Sequence, residues 1–276
     1  MKRIFAILLC CACLTACAAG TGESSGEASE VLSEATESVP ETSAPNTTPA
    51  TEEPEPPEEK IVYEIDSTKP LIALTFDDGP NTTTTNEVLD KLYEYQVPAT
   101  FFLIGNNISD SSAKSVKRAY SMGCEIANHS KTHSYMTEMT ADEIKAEIEF
   151  TNEKIKEITG EEPKFFRPPY ISVDNELYDA VDLTFICGVG ANDWDPAVTV
   201  EKRAMKIIRQ AKDGAIILLH DAEGNSPTVE ALDTIIPELL AQGYQFVTVS
   251  ELFAAKGVAL DPNDTQLYTI VEQAGN

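Results

Sequence analysis

The feature that most constrains this chain is a rhythm: from Lys60 onward, short apolar runs alternate with longer amphipathic stretches. Strand-type runs occur at LIALTF (71–76), ATFFLI (99–104), CEIANH (124–129), KFFRPP (164–169), LTFICGV (183–189), AIILLH (215–220) and QFVTVS (245–250). Helix-type stretches fall between them at 84–96, 114–123, 140–160, 200–212 and 226–243. The third has Thr140 as its N-cap, Ile144, Ile148, Ile155 and Ile158 on one face, and Gly160 as its stop. Seven strands with intervening helices predict an α/β domain with a parallel sheet. Periodicity does not decide whether that sheet is open or closed into a barrel. The 217 residues from Lys60 to Asn276 are enough for one sizeable core, so 60–276 is read as a single domain.

In parallel α/β folds, reactive groups gather in loops at the C-terminal ends of strands. The unusual residues of this chain lie there. LIALTF is followed by Asp77-Asp78-Gly79-Pro80, CEIAN by His129-Ser130-Lys131-Thr132-His133, and KFF by Arg167-Pro168-Pro169-Tyr170. TFICGVG leads to Asn192-Asp193-Trp194, and AIILL ends in His220-Asp221. The whole chain has three histidines, and all three are in these loops. Two imidazoles four residues apart, with a carboxylate from another strand, can hold one divalent ion and leave positions open for water and substrate. Such an ion lowers the pKa of bound water and polarises a carbonyl.

Blander readings stand beside each of these. Asp-Gly-Pro is strong turn chemistry, and two carboxylates could instead serve glycoside hydrolysis. A metal divides the acid pair more naturally, one Asp binding the cation and the other taking a proton from water. Pro168-Pro169 can be a rigid turn, Arg167 a surface ion pair, and Trp194, the only tryptophan, part of the core.

Taken in order, TFDDGP (75–80), HSKTH (129–133), RPPY (167–170), NDW (192–194) and ILLH (217–220) resemble the five motifs of the NodB-type polysaccharide deacetylases, carbohydrate esterase family 4. The resemblance covers roughly residues 70 to 252. It implies a distorted (β/α)7 barrel and metal-dependent hydrolysis of N-acetyl groups on amino-sugar polymers. It also implies that Asp77 is the general base and that Asp78, His129 and His133 are the metal ligands. Zinc is the expected ion, with cobalt or another divalent ion as the alternative. Arg167 resembles the arginine that pairs with the base, and Tyr170 stands where the family offers a backbone amide to the oxyanion. His220 matches the catalytic acid, Asp193 its partner, and Trp194 and Leu218 the apolar walls around the acetyl methyl. Two departures stand out. Ile171 replaces the usual Gly after the aromatic of the third motif, which puts the loop presenting Tyr170 in question. Gly188-Val189-Gly190-Ala191 stands where the family commonly carries additional polar or aromatic residues just before its Asp-Trp, leaving more room in the groove.

The N-terminus bears on location. MKRIFAILLCCACLTAC places two cations before an apolar run too short to span a bilayer, so residues 1–17 read as a secretory signal. Leu14-Thr15-Ala16-Cys17 resembles a bacterial lipobox, which implies acylation of Cys17 and anchoring to the outer face of the cytoplasmic membrane. An ordinary signal peptide that happens to contain Cys is the alternative. Residues 18–59 hold 11 Glu, no Lys or Arg and almost no large apolar side chain, and they read as a disordered acidic tether. Only Cys124 and Cys187 fall in the domain, where free buried thiols are expected although export permits a disulfide.

The formal charge of −26 excludes nucleic acid as a ready partner, since that contact needs a basic face. An extracytoplasmic enzyme on such a tether points to a cell-wall glycan, peptidoglycan GlcNAc first, then MurNAc or chitin-like oligomers. No protein partner is implied. Two other classes compete: a non-catalytic glycan- or metal-binding surface lipoprotein, and a hydrolase of cyclic amides on the same scaffold.

Overall fold

The computed structural model describes residues 60–272 except Pro262, so the signal, Cys17 and the tether lie outside the described residues. An eight-stranded sheet forms the centre. Its strands are β1 (Leu71–Asp77), β2 (Thr100–Leu103), β3 (Glu125–Asn128), β4 (Phe165–Phe166), β5 (Thr184–Phe185), β6 (Val189–Gly190), β7 (Ile216–His220) and β8 (Gln245–Val247). Every strand pairing is parallel. The order is β5-β4-β3-β2-β1-β7-β6, and β8 pairs with β1.

The strand β1 is buried along its whole length, as a near-continuous apolar run in a parallel sheet should be. Ala73 is aligned with Ile216 of β7 and with Val247 of β8, so those two strands take opposite edges of β1. On the β8 edge, β8 pairs with Leu71–Ala73 and β2 with Thr75–Asp77. The upper end of β1, where Asp77 lies, is therefore flanked by β2 and β7.

The helices are α1 (Thr84–Tyr95), α2 (Ala113–Ser121), α3 (Ala141–Thr159), α4 (Asn175–Ala180), α5 (Val200–Gln210), α6 (Ser226–Ala241) and α7 (Val249–Lys256). The Thr140 cap and Gly160 stop of α3 are present, with Glu143 closing a capping box and Gly160 in the left-handed conformation. Of the isoleucines on its predicted face, Ile144, Ile148 and Ile155 are buried and Ile158 is half-buried. No helix among the described residues is long and apolar enough to cross a membrane.

Three expectations need correcting. The run LTFICGV is two short strands, because Gly188 turns the backbone (φ 147°) and the Cys187 carbonyl is taken by the Arg167 side chain. No pairing joins β5 to β6 among the described residues, so the barrel stays open there. The C-terminal tail covers β5 instead: Tyr268 N–H donates to the Phe185 carbonyl at 3.0 Å, and Cys187 N–H to the Tyr268 carbonyl at 2.8 Å. QFVTVS is strand only to Val247, since Thr248 caps α7 in a capping box with Glu251. Finally, both thiols are free but only Cys124 is buried; Cys187 is partly exposed. Burial pushes the Cys124 thiol up to about 12, which makes it inert at neutral pH.

Candidate active site

The strand ends bring the five motif segments to one cavity of about 650 Å³, lined by Asp77, Asp78, His129, His133, Tyr170, Trp194, Leu218 and His220 among others. Asp77 closes β1, and His220, aligned with it, closes β7. Asp78, His129 and His133 each offer one ligand atom, all within 4.8 Å of one another. Asp78 Oδ1 lies 3.5 Å from His129 Nε2 and 3.4 Å from His133 Nε2.

This cluster fits a divalent ion on its own chemistry. Among the described residues, Asp78 Oδ1 is the one buried side-chain polar atom with no hydrogen-bond partner, and an orphaned buried oxygen is costly unless something occupies it. The Arg167 carbonyl accepts from His129 Nδ1 at 2.6 Å, which fixes the tautomer and leaves the Nε2 lone pair facing Asp78. Burial first, and then the neighbouring His129, lowers the pKa of His133, favouring the neutral imidazole that binds metal. Burial works to raise the Asp78 carboxyl, but His129, His220 and His133 outweigh it and hold the group down to about 2.

The second carboxylate is held differently. Arg167, fully buried, pairs through Nη1 with Asp77 Oδ1 and donates from Nε to the Cys187 carbonyl at 2.9 Å. Its guanidinium also lies 4.0 Å above the Phe102 ring. Asp77 Oδ2 remains on the metal side, 3.8 Å from His129 Nε2. The surface ion pair considered for Arg167 is thereby excluded.

Across the cavity, His220 Nδ1 contacts Asp193 Oδ1 at 2.9 Å, while Asp193 Oδ2 accepts from the His220 N–H and the Thr228 hydroxyl, each at 2.8 Å. Burial acts to lower the His220 pKa. The bond and charge of Asp193, with Asp77 and Asp78 behind it, overcome that and raise it to about 9. His220 thus carries a proton at neutral pH and keeps Nε2 for the cavity.

Tyr170 and Ile171 both take the left-handed conformation (φ 59° and 55°). Ile171 holds a shape glycine adopts freely, at a cost of about 1–2 kcal/mol for a residue with a Cβ. Among the described residues, six of the seven non-glycine residues with positive φ are at the site: Asp78, Ser130, His133, Tyr170, Ile171 and Asn192. Strain of this kind persists where surrounding contacts over-determine it. Trp194 is 63% exposed, so it belongs to the mouth and not to the core.

Two contributors were missed in the sequence. Tyr135, 49% exposed, stacks on Tyr170 with ring centres 4.0 Å apart. Glu147 on α3 accepts from the Lys131 and Thr132 amides at 3.0 and 2.8 Å, anchoring the loop between the two histidines. Neither belongs to a motif, and only a helix-face carboxylate buried among isoleucines could have flagged Glu147.

A model of the polysaccharide deacetylase family matches residues 64–185. A bifunctional xylanase/deacetylase of Pseudobutyrivibrio xylanivorans is 54% identical over 193 residues, 70% of this chain and 32% of that protein. The chain therefore spans about a third of that relative's length. A peptidoglycan-N-acetylglucosamine deacetylase of Bacillus cereus is 36% identical over 71% of this chain and 94% of its own length. The solved structure of a family 4 acetyl xylan esterase from Clostridium thermocellum, in complex with a cobalt ion, superimposes with a TM-score of 0.71 at 48% identity, covering 73% of this chain and 98% of that one. The open parallel half-barrel is thus the fold of the family 4 carbohydrate esterases. The chain belongs to the polysaccharide deacetylase family, the NodB-type enzymes of carbohydrate esterase family 4.

Proposed function

We propose that the protein removes acetyl groups from a β-linked polysaccharide by metal-dependent hydrolysis, with acetylated xylan as the preferred polymer. The observation that carries the reaction class is the opposition of two differently tuned groups across one cavity: Asp77 paired with Arg167, and a protonated His220 paired with Asp193. A binding protein has no need of this pair.

Asp78, His129 and His133 would hold the ion. When bound, it would supply a Lewis acid that polarises the acetyl carbonyl and makes water more acidic. The Asp77 oxygen not engaged by Arg167 takes the proton from water as the water oxygen attacks the carbonyl carbon. The backbone amide of Tyr170 faces the developing oxyanion, and Trp194 and Leu218 enclose the acetyl methyl. As the bond to the sugar breaks, Nε2 of His220 gives its proton to the departing oxygen or nitrogen. Acetate and a deacetylated sugar leave.

Both esters and amides can be cut in this way, so the polymer decides the biology. Xylan is favoured because the likeness to xylan-linked proteins, 54% and 48% identity, exceeds the 36% to the peptidoglycan enzyme. Peptidoglycan GlcNAc is the second reading, supported by the lipobox-like Leu14–Cys17 and the acidic tether, which would hold the domain at the cell wall. Acetate release from acetylated xylan and from peptidoglycan, measured with one enzyme preparation, tests the order. Faster release from peptidoglycan would reverse it, and release from neither would refute the function.

A further inference from the structure

We propose that Asp221 is a positioning residue that fixes the backbone of Asp78, gripping the peptide units on both sides of that metal-binding aspartate. This inference rests on the reading of Asp78 as a ligand.

Asp221 follows His220 at the end of β7 and is fully buried. Its N–H donates to the Asp77 carbonyl at 3.0 Å, and its Oδ1 accepts from the Gly79 N–H at 3.1 Å. The first group belongs to the peptide before the Asp78 Cα and the second to the peptide after it, so one residue sets both dihedrals of Asp78. Those dihedrals need setting, since Asp78 lies in the left-handed region at φ 76°. Asn107 adds a bond from Nδ2 to the Asp78 carbonyl at 2.8 Å.

The carboxylate is itself locked. The Thr85 hydroxyl donates to Oδ2 at 2.5 Å while accepting from the Asn81 N–H at 3.0 Å. Asn81 Nδ2 donates to the Asp221 carbonyl at 2.6 Å. Thr85 and Asn81 thus tie Asp221 to the first turn of α1.

Gly79 supplies an independent argument. Its φ lies outside the left-handed region, so the turn does not require glycine for conformational freedom. A Cβ there would sit 2.5 Å from Asp221 Oδ2 and 2.8 Å from Oδ1. Glycine is needed because the carboxylate occupies that space. The glycine of TFDDGP and the aspartate after His220 are two halves of one contact.

The test is zinc affinity, measured by competition with a chromogenic chelator, together with the visible spectrum of the cobalt-substituted protein. Asp221→Ala should weaken zinc binding about 10- to 100-fold, the range for residues that orient metal ligands, and should change the cobalt bands. Gly79→Ala should do the same by displacing the carboxylate. Asp221→Asn, which keeps an oxygen for the Gly79 N–H, should restore most of the affinity and the native spectrum. A purely structural role would lower Tm and leave the cobalt bands unmoved. Wild-type affinity and bands in folded Asp221→Ala or Gly79→Ala would overturn the clamp. Should Asp221→Ala not fold, the comparison of Gly79→Ala with Asp221→Asn decides. Failure of the wild-type protein itself to bind zinc or cobalt would instead overturn the ligand reading beneath it.

Discussion

At the scale of single residues, function follows from how the surroundings divide similar side chains. Asp77 and Asp78 are neighbours in sequence, yet one is engaged by Arg167 and the other faces two imidazoles. Asp77→Asn should lower kcat by about 10²- to 10⁴-fold, the usual worth of a general base, while zinc affinity stays near that of the wild type. Loss of zinc affinity would make Asp77 a ligand instead. His220 gives a pH prediction with a definite sign. Its pKa is raised from 6.5 to about 9, so the imidazole stays protonated through neutral pH and loses its proton as pH rises through about 9. The proposed mechanism uses the protonated form as its acid, so kcat/KM should fall on the alkaline side. In Asp193→Asn that limb should move to lower pH, because the group that raises the pKa is gone. An alkaline limb that stays in place would assign it to another group.

At the scale of elements, the site was legible where chemistry and strand ends coincide. Nine of the ten domain residues assigned from sequence lie at the sheet's C-terminal ends or the loops that follow them, with Leu218 inside β7, and all ten line the cavity or support those that do. What stayed hidden acts across elements. Glu147 reaches its loop from α3, and Asp221 reaches Gly79 from just beyond β7; neither contact leaves a local pattern. The T-x-x-E signature of Thr248–Glu251 was readable as a helix start, but the apolar run before it masked the change from strand to α7. The break between β5 and β6 depends on Arg167 capturing the Cys187 carbonyl, a tertiary event. Tyr135 yields a prediction at this scale, because it extends the aromatic surface of Tyr170 at the mouth. Aromatic pairing is worth about 0.5–1.5 kcal/mol, so Tyr135→Ala should raise KM for a polymeric substrate by about 2- to 10-fold with kcat little changed. An unchanged KM would remove Tyr135 from the substrate surface.

At the scale of the molecule, the charge has two seats. Residues 18–59 carry 11 acidic residues, and the domain from Lys60 carries 35 against 18 basic, a net −17. Acetylated xylan is uncharged, so its deacetylation should be flat from low to physiological salt, whereas a partly deacetylated amino-sugar polymer is cationic and would be held by the domain. Release of acetate from the latter should rise with salt as screening frees the product; a falling rate would contradict the electrostatic account. Acetate release from acetylated xylan measures metal-dependent deacetylation by the Asp77–His220 pair most directly. Chelator-treated protein should release none, zinc or cobalt should restore the rate, and Asp77→Asn and His220→Ala should stay inactive with metal present. Full release without metal, or by either variant, would contradict it.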